Sequence, residues 1–281
     1  MALLFGEKAL VGMVHVDALP GTPRHRLPMR EIVANAVREA RVLVEAGFDA
    51  LIVENMHDAP YVCAPGVGGG VTGAGGMGGG SLGPEITAAM TRVAVAVREA
   101  VPQMPCGVQI LSGAHREALC VAMTAELDFI RCENFVYAHV ADEGIMATAA
   151  AGDLLRYRRT IGAERVRVLA DIKKKHAAHA ITGDVSLIDA AQAAEFFGAD
   201  GVIVTGSATG KPTDPQDVAE AKAAVKIPVV VGSGATAESV RTLLKHADAI
   251  IVGSSIKYGG VWSNPISLER CRAFVAAARG T

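Results

Sequence analysis

A single (β/α)8 barrel, the TIM-barrel architecture, is the fold class this chain predicts, on three observations. Its 281 residues lie close to the ~250 typical of one such barrel. Eight short apolar, β-branched runs alternate with amphipathic, alanine-rich stretches. The runs are apolar throughout rather than every second residue, as parallel strands covered on both faces require.

The elements follow in order. Ala9–Val16 is the first strand. The segment before it is interrupted by Glu7 and Lys8 and lacks a basic start and a small-residue cleavage site, so it does not read as a signal peptide. The other strands are Ala50–Glu54, Gly107–Leu111, Phe129–Cys132, Val166–Ala170, Gly201–Thr205, Pro228–Val231 and Ala249–Val252. Helical patterns cover Arg30–Ala46, Pro84–Val101, Gly113–Ala125, Leu154–Ile161, Ser186–Phe197, Asp214–Val225, Ala237–Lys245 and Pro265–Ala278. Thr236 with Ser239, and Asn264 before Pro265, supply helix-start signals. An Asp flanked by Ala or Gly enters a strand at Gly47–Ala50, Ala199–Gly201 and Ala247–Ala249, a weak repeat consistent with the barrel. Residues 1–281 read as one domain without a linker.

Eleven of the 31 glycines fall in residues 66–83, a glycine-rich insertion after the second strand. Such a stretch is expected to be mobile, and it reads either as a lid over the barrel mouth or as a tolerated insertion.

A net charge of −2 argues against general nucleic-acid or anionic-membrane binding, and no apolar run approaches the ~20 residues of a membrane span. The five cysteines (63, 106, 120, 132 and 271) form no Cys-x-x-Cys pair and read as reduced thiols of a cytoplasmic protein. Homo-oligomerisation is the expectation from base rates for barrels.

In such barrels chemistry sits at the C-terminal strand ends. The loops after strands 7 and 8 carry Gly232-Ser233-Gly234 and Gly253-Ser254-Ser255, and strand 6 runs into Gly206. Glycine admits a close anion and successive backbone N–H groups can face it, so these residues are candidate phosphate ligands. The alternative is tight turns alone. After strand 5, period-two alternation puts Asp171 and Lys173 on one face, with His176 beyond; a carboxylate beside a lysine suits proton transfer, or else forms a structural ion pair. His15, Glu54 and Glu133 end strands 1, 2 and 4 and complete the candidate acid–base set. No cofactor is expected. A divalent metal held by His15, Asp17, Glu54 and His176 is a minor alternative; His57, His139 and His179 fall in loops that need not converge.

Two G-x-G-x-x-G matches in residues 73–83 do not follow a strand directly and arise from glycine content alone. Residues 206–212 are one residue short of a P-loop and place Pro212 where a hydroxyl belongs. Trp262 and the four tyrosines are too scattered for a nucleic-acid stacking surface.

Ordered motifs from end to end resemble the BtpA (BtpA/SgcQ) family: VGMVHVDALPGTP (11–23), AGFDALIVENMHDAPY (46–61), FIRCENFVYAHVADEGI (129–145), ADIKKKH (170–176), ADGVIVTGSATGKP (199–212) and ADAIIVGSSIKYGGVWSNPI (247–266). The resemblance implies a barrel similar to the ribulose-phosphate-binding group. It also implies two kinds of relative, photosystem I biogenesis factors of cyanobacteria and metabolic proteins linked to sugar utilisation. The chain departs from the family pattern in the length of the 66–83 link. It also has Leu111-Ser112-Gly113-Ala114-His115 where many relatives carry an Arg-Asn-Asp-like segment.

Three readings of function follow. The first is an enzyme of lyase, isomerase or aldolase type acting on a small phosphosugar or phosphonucleoside. The second is a non-catalytic assembly factor, which predicts an exposed apolar patch on the outer helices or the 66–83 loop. The third is a metal-dependent hydrolase.

Overall fold

The computed structural model describes residues 5–64, 66–67, 82–174, 176–206 and 212–280. Eight parallel strands close into a barrel: β1 (Ala9–His15), β2 (Ala50–Glu54), β3 (Cys106–Gln109), β4 (Phe129–Cys132), β5 (Arg167–Ile172), β6 (Gly201–Val204), β7 (Val229–Val231) and β8 (Ala249–Val252). Each pairs with its sequence neighbours, and β8 closes on β1 through Ala9–Gly12 against Ala249–Val252. The surrounding helices are α1 (Met29–Ala46), α2 (Pro84–Ala100), α3 (His115–Thr124), α4 (Ala151–Thr160), α5 (Leu187–Phe196), α6 (Pro215–Ala224), α7 (Val240–Leu244) and α8 (Leu268–Arg279). The expected barrel is thus the observed one. Most of the 66–83 stretch, residues 68–81, lies outside the described residues.

Strand alternation divides the apolar residues between two cores. One set faces the barrel axis: Ala9, Val11, Met13, Ala50, Ile52, Phe129, Leu169, Ile203, Val230, Ala249 and Ile251. Phe5 closes this layer edge-on against Phe129, with ring centroids 5.2 Å apart. Gly107 is required there, because a Cβ would fall 2.3 Å from the Phe129 ring. The opposite set, with Leu10, Val14, Leu51, Val53, Val108 and Ile130, packs under the helices.

The recurring Asp has a physical role. Asp49, Asp128, Asp200 and Asp248 precede β2, β4, β6 and β8, and their carboxylates accept the backbone N–H of Leu10, Cys106, Val168 and Val229 in the preceding strands. The backbone N–H of each Asp donates to the carbonyl of that same residue. Each carboxylate also meets a cation: Arg279, Arg98, Arg158 with Arg167, and Lys222 respectively. These aspartates tie the N-terminal barrel rim together, far from the catalytic end. The fourth member, Asp128, escapes the sequence repeat because Leu and Phe flank it.

Several boundaries differ from expectation, four of them near the site or the chain's C-terminal helices. β3 ends at Gln109, because the Leu111 N–H turns to Asn55 Oδ1 at 2.9 Å. β5 continues to Ile172. Helix α7 starts only at Val240, after a turn in which Thr236 and Ser239 exchange hydrogen bonds. Helix α8 is capped by Ser267, which accepts the Arg270 N–H, and not by Asn264; 3-10 turns at Ser254–Ile256 and Tyr258–Gly260 occupy the interval.

Beyond the barrel lies an unanticipated antiparallel sheet of His139–Ala141, Gly144–Met146 and Ala177–Ala178. It joins the β4 and β5 loops above the mouth.

Replacing Asp200 by Ala removes a charge-assisted bond to a strand N–H and leaves Arg158 without its carboxylate partner. The expected loss is about 2 kcal/mol, or a Tm about 5 °C lower in thermal unfolding, with ligand affinity unchanged.

Candidate active site

The inward parity of the barrel strands determines which side chains ring the mouth. Continuing the axial rows upward gives His15 on β1, Glu54 on β2, Gln109 on β3, Arg131 on β4, Asp171 on β5, then Thr205, Gly232 and Gly253 beyond β6, β7 and β8. Glu54, Gln109, Asp171 and Thr205 are buried. Five of the eight residues are neutral, so the charges are few and specific.

Arg131 and Asp171 form the central interaction. Nε and Nη2 of Arg131 donate to the two Asp171 oxygens at 2.9 and 3.0 Å, with side-chain exposures of 12% and 1%. Burial pushes the Asp171 carboxyl up and the guanidinium opposes it; Asp171 in turn raises Arg131 against its own desolvation. Nη1 also reaches the Gly232 carbonyl at 3.5 Å, and Nη2 lies 3.3 Å from where a Gly232 Cβ would stand.

His15 forms the second polar contact. Its Nδ1 donates to the Trp262 carbonyl at 3.0 Å, which leaves Nε2 facing Glu54 Oε2 at 3.6 Å. The His15 ring fills the space beside Gly253, 3.2 Å from an added Cβ. Asp17 turns away to accept from Asn35 on α1. Among the described residues, no group of three or more His, Cys, Asp or Glu side chains is placed to hold a metal, so the four-residue set read from the sequence is not assembled.

Glu133 and Lys174 form a third pair at 2.7 Å. Burial acts to raise the Glu133 carboxyl, but the Lys174 ammonium, its hydrogen bond, His115 and the Gly113 amide outweigh it and hold the pKa at about 2. The expected alternation from Asp171 to Lys173 therefore does not persist. Lys173 adopts φ +43°, which turns its Nζ to the Thr182 carbonyl at 3.2 Å, and Lys174 is the lysine that meets a carboxylate. His176 is exposed at φ +60°, and Lys175 lies outside the described residues.

On the opposite side, the Ser233 carbonyl accepts the Thr213 hydroxyl at 2.8 Å, and Gly234 follows at φ +74°. Ser233 Oγ is buried and has no hydrogen-bond partner among the described residues. Ser254 and Ser255 open the 3-10 turn after Gly253, where Arg270 fixes the Ser255 carbonyl at 2.8 Å. Gly206 is buried at the end of β6, and residues 207–211, which hold the near P-loop, lie outside the described residues.

Sequence reading assigned no site role to four further residues here. Gln109 is buried with Oε1 unpartnered among the described residues. Trp262 lies beside both His15 and His57, with centroids 6.4 and 5.0 Å apart. His139 and His179 do converge, at 5.8 Å. The inward parity of Gln109 was a usable signal; the histidines carried none, because their meeting depends on the small sheet. Asn55 and Asp58 instead clamp loops, Asn55 on Leu111 and Asp58 on the Leu19 N–H.

A closed parallel barrel with its polar groups gathered at the C-terminal mouth places the molecule among the TIM-barrel proteins. Solved structures share this fold at low identity. One described as native KDPGal matches with TM-score 0.57 and 14% identity over 100% of this chain and 98% of the other. A 3-hexulose-6-phosphate synthase matches at 0.54 and 17%, over 96% and 99%. The chain belongs to the BtpA family, whose sequence model matches residues 6–73 and 80–280. An uncharacterised mitochondrial protein of Caenorhabditis elegans is 44% identical over 97% of this chain and 94% of its own length. The photosystem I biogenesis protein BtpA of Synechocystis is 31% identical, over 95% and 87%. No helix among the described residues is long and apolar enough to cross a membrane.

Acid sensitivity follows from two of these groups. Burial first, then Lys174 and His179, hold His139 at about 4 rather than 6.5. The native state then binds fewer protons than the unfolded chain between those values, so stability falls as pH drops from 6.5 to 4. Glu133 adds a second loss between about 4.5 and 2. Replacing His139 by Phe should remove the first step, on the order of 2–3 kcal/mol, in urea unfolding followed across pH.

Proposed function

We propose that this protein is an enzyme acting on a small phosphorylated metabolite, a phosphosugar or phosphonucleoside. Gly206, Gly232, Ser233, Gly234, Gly253, Ser254 and Ser255 form the phosphate site. Ser233 Oγ carries the reading: it is a buried hydroxyl without a partner among the described residues, on the loop that follows β7. Buried polar atoms of that kind are rare and call for an occupant. Arg131, paired to Asp171, reaches the Gly232 carbonyl and so fixes the loop that carries Ser233.

Across the mouth, His15 with Glu54 and Asp171 with Arg131 supply proton transfer and charge stabilisation; Glu133, Lys173 and His176 border them. With Nδ1 held by the Trp262 carbonyl, His15 Nε2 facing Glu54 is placed for proton transfer next to a carbonyl, the step shared by isomerase, lyase and aldolase chemistry. The phosphosugar enzyme among the fold neighbours supports this substrate class. All five cysteines are unpaired, which supports a reducing compartment such as the cytoplasm.

Sugar phosphates should raise Tm in a thermal-shift assay where the unphosphorylated sugars do not. Ser233→Ala should weaken that binding about tenfold while leaving the unliganded Tm within about 2 °C. Equal shifts with phosphorylated and unphosphorylated sugars would sink the proposal.

One observation favours the assembly-factor reading. Phe196 and Phe197, at the end of α5, are 85% and 53% exposed and pack edge-to-face on each other. The name of the Synechocystis relative points the same way. Under that reading a Phe196→Ser, Phe197→Ser double variant loses a stable partner in a pull-down, and Ser233→Ala retains it.

A further inference from the structure

The antiparallel sheet above β4 and β5 encloses a chamber that the phosphate reading leaves unused. It has a volume of about 20 Å³, room for one oxygen-sized occupant. Its ionisable lining includes Glu133, His139, Asp171, Lys173, Lys174 and His179, beside the hydroxyl-bearing Tyr137 and Thr182. His139 is 5% exposed, and its Nε2 has no hydrogen-bond partner among the described residues. His179 is engaged, donating from Nε2 to the Lys174 carbonyl at 2.9 Å.

Three non-glycine residues in the left-handed region stand at the roots of this sheet: Tyr137, Lys173 and His176, at φ +60°, +43° and +60°. Such conformations are uncommon for these residue types and gather at ligand sites. The chamber also has an address relative to the phosphate loops. Asp171 forms part of its wall, and Arg131, paired to Asp171, reaches the Gly232 carbonyl. Chamber and β7 loop thus lie on either side of one ion pair.

We propose that this chamber is a second subsite for the same ligand, receiving a carbonyl or hydroxyl oxygen of a phosphorylated sugar, with His139 Nε2 and Lys173 Nζ as the groups that meet it. The inference rests on the phosphate reading above. The two carboxylates of the lining are neutralised by Lys174 and Arg131, and Lys173 Nζ gives one of its three protons to the Thr182 carbonyl, so the chamber offers an imidazole and the remaining donors of an ammonium. That chemistry selects an oxygen rather than a cation. A ligand bridging the ion pair must be longer than phosphate itself and short enough to end beneath the sheet.

The test uses the full chain with inorganic phosphate and ribulose 5-phosphate as probes, by titration calorimetry. Ribulose 5-phosphate should bind at least tenfold more tightly than phosphate. His139→Phe should abolish that gain and leave phosphate affinity within twofold, and Lys173→Met should reduce the gain in the same direction. In wild-type protein labelled with 15N-histidine, the His139 Nε2 resonance should move with the sugar phosphate and stay fixed with phosphate, a readout that needs no folded variant. Sugar phosphate binding that leaves His139 unmoved and survives both substitutions overturns the subsite and spares the phosphate loops. Failure of both probes to bind overturns the phosphate reading and the subsite with it.

Discussion

The ion pair between Arg131 and Asp171 governs the architecture of the mouth. The two charges stand in the polar top layer of the barrel, directly above apolar layers. Taking them from water is expensive, and only the forked geometry, which satisfies both carboxylate oxygens, offsets it. That geometry dictates its surroundings. Position 232 must lack a side chain where the guanidinium passes, the Gly232 carbonyl must turn toward it, and the β5 carboxylate becomes a wall of the adjoining chamber. A lysine at 131 would keep the charge and lose the fork, along with its simultaneous hold on β5 and the β7 loop.

The same parity that builds the core was visible in the chain before any coordinate. Eight apolar runs, their order and their ends define the barrel, and reading every second residue upward gives His15, Glu54, Arg131 and Asp171 as one ring. The partner of Asp171 was not legible. Arg131 stands in register with Leu169, so it reaches Asp171 diagonally across the strand pair. Local alternation pointed instead to Lys173, and it failed where the backbone enters the left-handed region just past Ile172. The small sheet escaped for a different reason. Strands of two and three residues are too short to display a period, and they exist because distant loops meet, Val140 beside Ala178 and Ala141 beside Ala177.

The glycines illustrate how one residue type can answer two demands. Gly232 and Gly253 read as anion-binding turns, yet each also leaves room for a side chain from the ring, Arg131 in one case and His15 in the other. Their presence alone therefore does not separate ligand binding from packing. The proposed phosphate site rests instead on the buried Ser233 hydroxyl, which has no hydrogen-bond partner among the described residues.

The described edge of the glycine-rich stretch bears on access. Val67 accepts the Ala147 N–H from the end of the small sheet and lies against the space above Gly113, whose N–H holds Glu133. The β2 loop is thereby attached to the structure that roofs the chamber, while the glycine loops after β7 and β8 attach to the other half through Thr213 and Arg270. The mouth is divided in two. One half is fixed by bonds to helices and turns of the barrel, and the other by contacts among loops. A ligand anchored on the first half would meet the second through the Arg131–Asp171 pair on one side and the His15–Glu54 contact on the other, both carried by barrel strands. In such a design the anchor is set by the fold, and selectivity is left to the loops.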